Sequence, residues 1–374
     1  MSKKDARLYY RGIYDYFIEQ IASGKLSPGT RLPSEKELCQ QFAVSRTTTK
    51  KALELLTEQN LIVRFPGKGS FVRDASEPPA QKPGRALRSM GFIIPDISDS
   101  FGVRLLNGIE QTCGSLGYHL ILKKSRDSVD EEGAAINVLT EAGVDGLLIV
   151  PVHGEYYNPE ILKLILNKTP LVFVDRKMRG LAVPSVSTDN AAAAALGTAY
   201  LVGLGHRHIA FYSGPIEDTS TVEYRRIGYI GALSSAKIPF DPELFLSELT
   251  STWSFPYAPD RVRRDIALVR NHLEQHPQLT AAFVAEYNMA LIVREAAESL
   301  GRTVPRDFSI LCFDSPESLL GTVEFTHLAQ DEYGIGQRAA ETLQAIIAGA
   351  GNIPAGEILL PAELIHGATT ERCI

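Results

Sequence analysis

Cysteine is scarce in this chain: Cys39, Cys113, Cys312 and Cys373 are the four among 374 residues, and no two form a CxxC pair. That spacing offers neither a disulfide framework nor a zinc site, so a reducing compartment, the cytoplasm, is expected. Long apolar runs are missing as well. The longest weakly polar run, residues 191–205, is short, broken by glycines and closed by His206, so it predicts a buried helix rather than a membrane span. The opening MSKKDARLYYRG lacks the apolar core of a secretion signal. Also missing are a P-loop, a GxGxxG after a strand, a GxSxG elbow and an HExxH pair. An enzyme would have to rely on strand-end carboxylates such as Asp96, Asp99 and Asp175, which serve equally well to bind hydroxyls. No metal or cofactor is expected.

What is present is ordinary for a globular protein, 44% hydrophobic and 22% charged residues, with enough length for two or three domains. The net charge of −6 is unevenly spread. Residues 1–75 hold 13 Lys+Arg against 8 Asp+Glu, a local +5, which leaves −11 for the rest. A basic head on an acidic body implies that one end meets a polyanion.

Within the head, Tyr10, Ile13, Tyr14, Phe17, Ile18 and Ile21 recur at helical spacing until Gly24. Pro28-Gly29 marks a turn. Ser34 followed by Glu37 predicts a capping box at the start of a second helix. After a break at Ala43-Val44, AVSRTTTKKALELL predicts a third helix with Ser45 as N-cap. Thr49, Ala52, Leu53 and Leu56 share its apolar face, while Arg46, Thr47, Lys50 and Lys51 crowd the opposite side. Helix, short turn, basic helix is helix-turn-helix order, and such a front suits a DNA major groove, although a solvated charged face would look the same. Residues 61–64 and 70–73 flank Phe65-Pro66-Gly67-Lys68-Gly69, which predicts a hairpin. Its glycines would let the backbone approach a phosphate, with Lys68 adding charge; a plain flexible tip is the alternative.

PGTRLPSEKEL, VSRTTTKKALELL and GKGSFV, in that order, resemble the GntR family of winged-helix repressors across about residues 8–73. The resemblance implies DNA contacts at Lys36, Ser45, Arg46, Thr47, Lys50 and Gly67. The family often carries Arg where Lys36 and Lys50 stand. Lysine keeps the charge without the bidentate fork, which favours phosphate contact over base readout.

Residues 74–88 contain three prolines and little apolar periodicity, the pattern of a semi-extended linker. From 89 to 374, strand-like runs at 90–94, 119–122, 146–150, 171–174, 209–212, 281–285, 310–313 and 358–360 alternate with helical segments. That order predicts an α/β fold, two doubly wound lobes with parallel sheets. Ligands in such sheets sit beyond the strand carboxyl ends, here marked by Asp96, Ser98, Asp99, Ser100 and Phe101, by Asp175 and Arg176, and by Asp314 and Ser315.

GFIIPDISDSFGVRLLNGIE, GVDGLLIVP, PLVFVDR, LVGLGHRHIAFYSGP, RRIGYIGAL, VPRDFSILCFD and HLAQDEYGIGQRAAETL resemble the effector domain of the lac-repressor family, itself similar to periplasmic sugar-binding proteins. With the head in front, the whole is similar to arabinose-repressor-type transcriptional regulators. The resemblance implies ligand contacts at Ser98, Phe101, Asp189, Arg225, Asp314 and Gln330, and by approximate spacing Trp253. Asp189 could equally cap the Ala-rich helix after it, and Asp314 could be a strand-end turn residue. Glu286 stands where the family has a ligand-binding Asn, so the ligand of a familiar member cannot be transferred. His206 and His208 read as structural.

The function expected from this sequence is a repressor that binds a palindromic operator as a dimer and responds to a sugar or sugar-derived effector held between two lobes. A solute-binding protein would leave the basic head unexplained. A sugar-processing enzyme would need turnover by the body.

Overall fold

The computed structural model describes residues 3–59, 61–65, 69–73, 88–152, 158–215, 219–252, 258–316, 322, 324–349 and 356–373. The chain divides into two compact units, residues 1–86 and 87–374.

In the first unit, helices α1 (Lys3–Ala22), α2 (Glu35–Phe42) and α3 (Arg46–Glu58) are followed by strands β1 (Ile62–Phe65) and β2 (Gly69–Val72). The strands pair antiparallel with Phe65 opposite Gly69. The capping box forms: Glu37 N–H donates to Ser34 Oγ at 3.3 Å, and Ser34 N–H donates to Glu37 Oε2 at 2.7 Å. Ser45 caps α3 by accepting from Thr48 N–H at 3.3 Å. Between α2 and α3 the backbone turns through Ala43, held left-handed at φ 53°. The apolar stripes meet in one core, with Ile13, Phe17, Leu38, Leu53, Leu56, Ile62 and Val72 buried. Each large aliphatic side chain buried there contributes about 1.5–3 kcal/mol. Thr49 is enclosed with them because its hydroxyl donates to the Arg46 carbonyl at 2.9 Å.

The second unit repeats one design twice. The first lobe holds β3 (Ser89–Ile94), α4 (Val103–Ser115), β4 (His119–Lys124), α5 (Val129–Ala142), β5 (Gly146–Ile149), α6 (Pro159–Leu166), β6 (Leu171–Val174) and β7 (Ser185–Thr188). The second holds α7 (Asn190–Gly203), β8 (Ile209–Tyr212), α8 (Ser220–Ser235), β9 (Phe245–Leu246), α9 (Pro259–Gln275), β10 (Ala281–Val284), α10 (Tyr287–Ser299), β11 (Ser309–Phe313) and β12 (Thr326–Gln330). Helix α11 (Glu332–Ile347) and β13 (Glu357–Leu360) then return to the first lobe, and β14 (Ala362–Ile365) to the second. The chain therefore crosses between lobes three times, after β7, after β12 and after β13.

Each sheet has six strands, ordered β4-β3-β5-β6-β7-β13 and β9-β8-β10-β11-β12-β14. All neighbours run parallel except β12 and β14. Strands covered on both faces read as apolar runs, as Leu147–Ile149 and Ala281–Val284 do, all fully buried. Core clusters lie on both faces of each sheet. At Gly228 in α8, a Cβ would lie 2.1 Å from the Ala191 carbonyl oxygen, so glycine there sets how closely α7 and α8 pack. The predicted strand runs and the long helices of the body recur. The short strands β7, β9, β12 and β14 and helix α6 are additions.

Candidate functional site

In the first unit, Lys36, Ser45, Arg46, Thr47 and Lys50 are all exposed. The Arg46 side chain is 85% accessible and that of Lys50 61%. Because Thr49, Ala52 and Leu53 point into the core, the α3 residues between them must face out. Glu35 tethers the base of this face, accepting from Arg46 Nε at 3.3 Å and from Arg64 Nη2 at 2.6 Å. These ion pairs lower the Glu35 carboxyl below its usual range against the opposing effect of burial, the largest single influence on it. Gly67 and Lys68 lie outside the described residues.

In the second unit, a cleft of about 170 Å³ opens where the strand ends of both lobes converge. The first lobe supplies Ser98, Ser100, Phe101, Asp96, Asp127, Asp175 and Arg176; the second supplies Arg225, Thr252, Glu286, Asp314 and Gln330. Of the predicted ligand positions, Ser98, Phe101, Arg225, Glu286, Asp314 and Gln330 thus share one cavity.

Asp175 and Asp314 occupy equivalent places, each one residue past a central strand. Both have left-handed backbones, φ 62° and 60°, a conformation that Asp tolerates better than most residues. The backbone N–H of each is fixed by the next strand, Asp175 to Val186 O at 2.8 Å and Asp314 to Leu328 O at 3.0 Å. Both side chains are buried. Burial raises both carboxyls, opposed in each case by nearby arginine, and brings Asp314 to about 7. Burial raises Asp127 and Glu286 in the same way. The Thr252 hydroxyl donates to Glu286 Oε1.

Arg225 is held through two of its nitrogens and its face. Its Nε donates to Asn190 Oδ1 at 2.7 Å, its Nη1 donates to the Ala285 carbonyl at 2.5 Å, and its guanidinium lies 3.6 Å from the Phe313 ring centroid. Gln330 Nε2 donates to Asp314 Oδ2 at 2.8 Å, and Gln330 Oε1 accepts from Thr188 Oγ1 at 2.6 Å. The arrangement is a ring of hydroxyl-matching donors and acceptors with Phe101 supplying an apolar wall, suited to binding a polyol. Among the described residues no group of three or more His, Cys, Asp and Glu could hold a metal.

One predicted position, Asp189, lies beside this cleft rather than in its lining. It caps α7, accepting from Ala192 N–H at 2.9 Å, and borders an adjoining pocket of about 160 Å³ that shares Asp175 and Thr221 with the cleft. Trp253 lies outside the described residues. Asp127 was not singled out from the sequence. It follows β4 at a strand carboxyl end, so the same rule that marked Asp175 would have found it. His206 is structural: buried, it pairs with Thr280 Oγ1 at 2.9 Å and the Glu371 carbonyl at 3.1 Å.

Comparison with known proteins accounts for both units. Residues 9–72 match the family described as bacterial regulatory proteins, gntR family, and residues 198–370 match the periplasmic binding protein-like domain. The arabinose metabolism transcriptional repressor of Geobacillus stearothermophilus is 28% identical over 369 residues, 97% of both chains. Catabolite control protein A of Priestia megaterium is 30% identical over 256 residues, 68% of this chain and 74% of that one. The crystal structure of transcription regulator CcpA of Lactococcus lactis superposes with a TM-score of 0.66 at 25% identity, covering 76% of this chain and all of the other.

Proposed function

The chain belongs to the LacI/GntR-type bacterial transcriptional regulators, and we propose that it is a repressor that binds a palindromic operator as a homodimer under control of a sugar held between its lobes. The observation that carries the ligand reading is the convergence of Ser98 and Phe101 from one lobe with Arg225, Glu286, Asp314 and Gln330 from the other around one cleft. A ligand that touches both walls binds the closed arrangement better than the open one, and so shifts the population of lobe positions. The full-length similarity to an arabinose repressor supports a monosaccharide of that size. Lobe movement reaches operator binding by changing the separation of two heads in the dimer, a coupling that is reciprocal between sugar and DNA.

On the DNA side, α3 enters the major groove, Arg46 meets a base edge, and Lys36 and Lys50 neutralise phosphates. The test is operator binding by the full-length protein, using DNA fragments from upstream of its own locus in the presence and absence of arabinose and other pentoses and hexoses. A specific complex whose affinity changes with one sugar is expected. Failure to bind any such fragment, or an affinity unmoved by every sugar at saturation, sinks the proposal. The solute-binding and enzyme readings have no observation in their favour.

A further inference from the structure

The cleft has a sign as well as a shape. Among its described lining residues are the carboxyl groups of Asp96, Asp127, Asp175, Glu286 and Asp314. The cations are two arginines, Arg176 and Arg225, with no lysine beside them. Both arginines are partly engaged by the protein, and Arg176 Nε is buried without a hydrogen-bond partner. Arg225 has Nε and Nη1 committed to Asn190 and the Ala285 carbonyl and its face laid on Phe313. Arg176 lies between two of the carboxylates, with Nε 3.6 Å from Asp175 Oδ2 and Nη1 3.9 Å from Asp127 Oδ1, and its Nη1 donates to the Pro151 carbonyl at 3.2 Å. Lys124, 2.5 Å from Asp96, offsets one more negative charge. With that pair counted, carboxyl groups outnumber cations by two, a surplus that is full only when Asp127, Asp175, Glu286 and Asp314, all raised by burial, are ionised.

Resting on the sugar-binding reading above, we propose that the cleft selects its effector by charge: it takes polyols that carry no acidic group, ranks an amine-bearing polyol above its neutral parent, and rejects the phosphate ester. A carboxylate wall accepts hydrogen bonds from hydroxyls and ammonium groups, whereas a phosphate brought against it meets like charge from more groups than the arginines offset. Protonation of buried carboxyls softens the repulsion but turns no group cationic. Glu286 carries much of the selection. It places a buried carboxyl group on the second-lobe wall, with Asp127 on the first-lobe wall.

The sign can be read without knowing the ligand. Ser100 lines the first-lobe wall and Val222 the second-lobe wall. Each is replaced by Cys in the full chain carrying Cys39→Ser and Cys373→Ser. Cys113 and Cys312 stay fully buried, and burial raises both thiols. The probes are thiosulfonate reagents of similar size bearing a quaternary ammonium or a sulfonate, with rates normalised to a small free thiol. Because clefts lined by one sign focus the field to a potential of a few kT, the cationic reagent is expected to react faster by about tenfold or more. The ratio should fall towards 1 when Asp127→Asn and Glu286→Gln are added. A ratio of 1 or below at both positions overturns the proposal.

A second arm uses calorimetric titration with glucosamine, glucose and glucose 6-phosphate, and with ribose and ribose 5-phosphate. A phosphate ester that binds more tightly than its parent overturns the charge selection while leaving a sugar effector in place. A retained reagent ratio with an operator affinity unmoved by every sugar would overturn the effector reading instead.

Discussion

The Thr188 hydroxyl donates a buried 2.6 Å hydrogen bond to the Gln330 side-chain oxygen. Thr188 ends β7 in the first lobe's sheet and Gln330 ends β12 in the second's, each one residue before the chain crosses to the other lobe. Gln330 then passes the link to Asp314 in the cleft wall. A single chain of side chains thus ties the crossovers to the ligand site.

Thr188→Val keeps the shape and removes the donor. The buried Gln330 oxygen loses its partner, a cost of about 1–3 kcal/mol. The denaturant midpoint of the second unit should fall with an unchanged m-value. Because the tie bears on lobe position, sugar affinity should change as well, by more than in a substitution of equal stability cost away from the crossovers.

The pH dependence has a definite sign. Burial raises Asp314 to about 7, while an unfolded Asp titrates near 3.9. Between these values the folded state holds a proton that the unfolded state has released, so stability is full below about pH 4 and falls as pH rises to about 7. The groups that face Asp314 are Arg225, which opposes the rise, and Glu332, which adds to it. Asp127, Asp175 and Glu286 are shifted in the same direction by burial. Asp314→Asn, which can still accept from Gln330, should flatten the decline. Denaturant melts at pH 5 and pH 8 should show the variant gaining on the wild type at the higher pH.

Gly228→Ala tests the α7–α8 contact. The added methyl meets the Ala191 carbonyl oxygen at 2.1 Å, a backbone atom that cannot swing aside. Overpacking of this kind costs about 1–3 kcal/mol. Because Arg225 lies one turn earlier on α8 and holds Asn190 at the start of α7, the melting temperature and the sugar affinity should both drop.

On the first unit, Arg46→Ala and Lys50→Ala separate two kinds of DNA contact. Both side chains are exposed, so the melting temperature should barely move; the Arg46–Glu35 pair is a surface contact of small net worth. Arg46→Ala should cost about 1–3 kcal/mol of operator affinity and blur sequence preference at one base pair. Lys50→Ala should weaken all DNA alike and reduce the salt slope by about 1. Anisotropy titrations at several salt concentrations distinguish the two.

The head was legible in the sequence because its signals are local. The capping box at Ser34 and Glu37, the N-cap at Ser45 and the helical stripe through Leu53 and Leu56 each lie within a few residues. The body's central strands were legible for the opposite reason, since burial on both faces demands apolar runs such as Leu171–Val174. Strands β7 and β12 escaped notice. Thr188 and Gln330 bond each other where the chain crosses between lobes, and Thr326 bonds Thr370 and the Gly367 carbonyl, demands that appear only once the sheets assemble. Asp189 reads from the sequence either as a ligand contact or as a cap, and the fold shows the cap on α7.

Coupling between the cleft and operator binding by α3 is open to a reciprocal linkage measurement. Operator affinity of the full-length protein is measured with and without a saturating cleft-binding sugar, and sugar affinity with and without saturating operator. The account predicts that both affinities change by the same factor, at least about fivefold for a coupling of 1 kcal/mol or more, and that Asp314→Ala with Glu286→Ala abolishes the effect while sparing operator binding. An operator affinity that stays constant as the cleft fills, with the sugar equally indifferent to DNA, would contradict it.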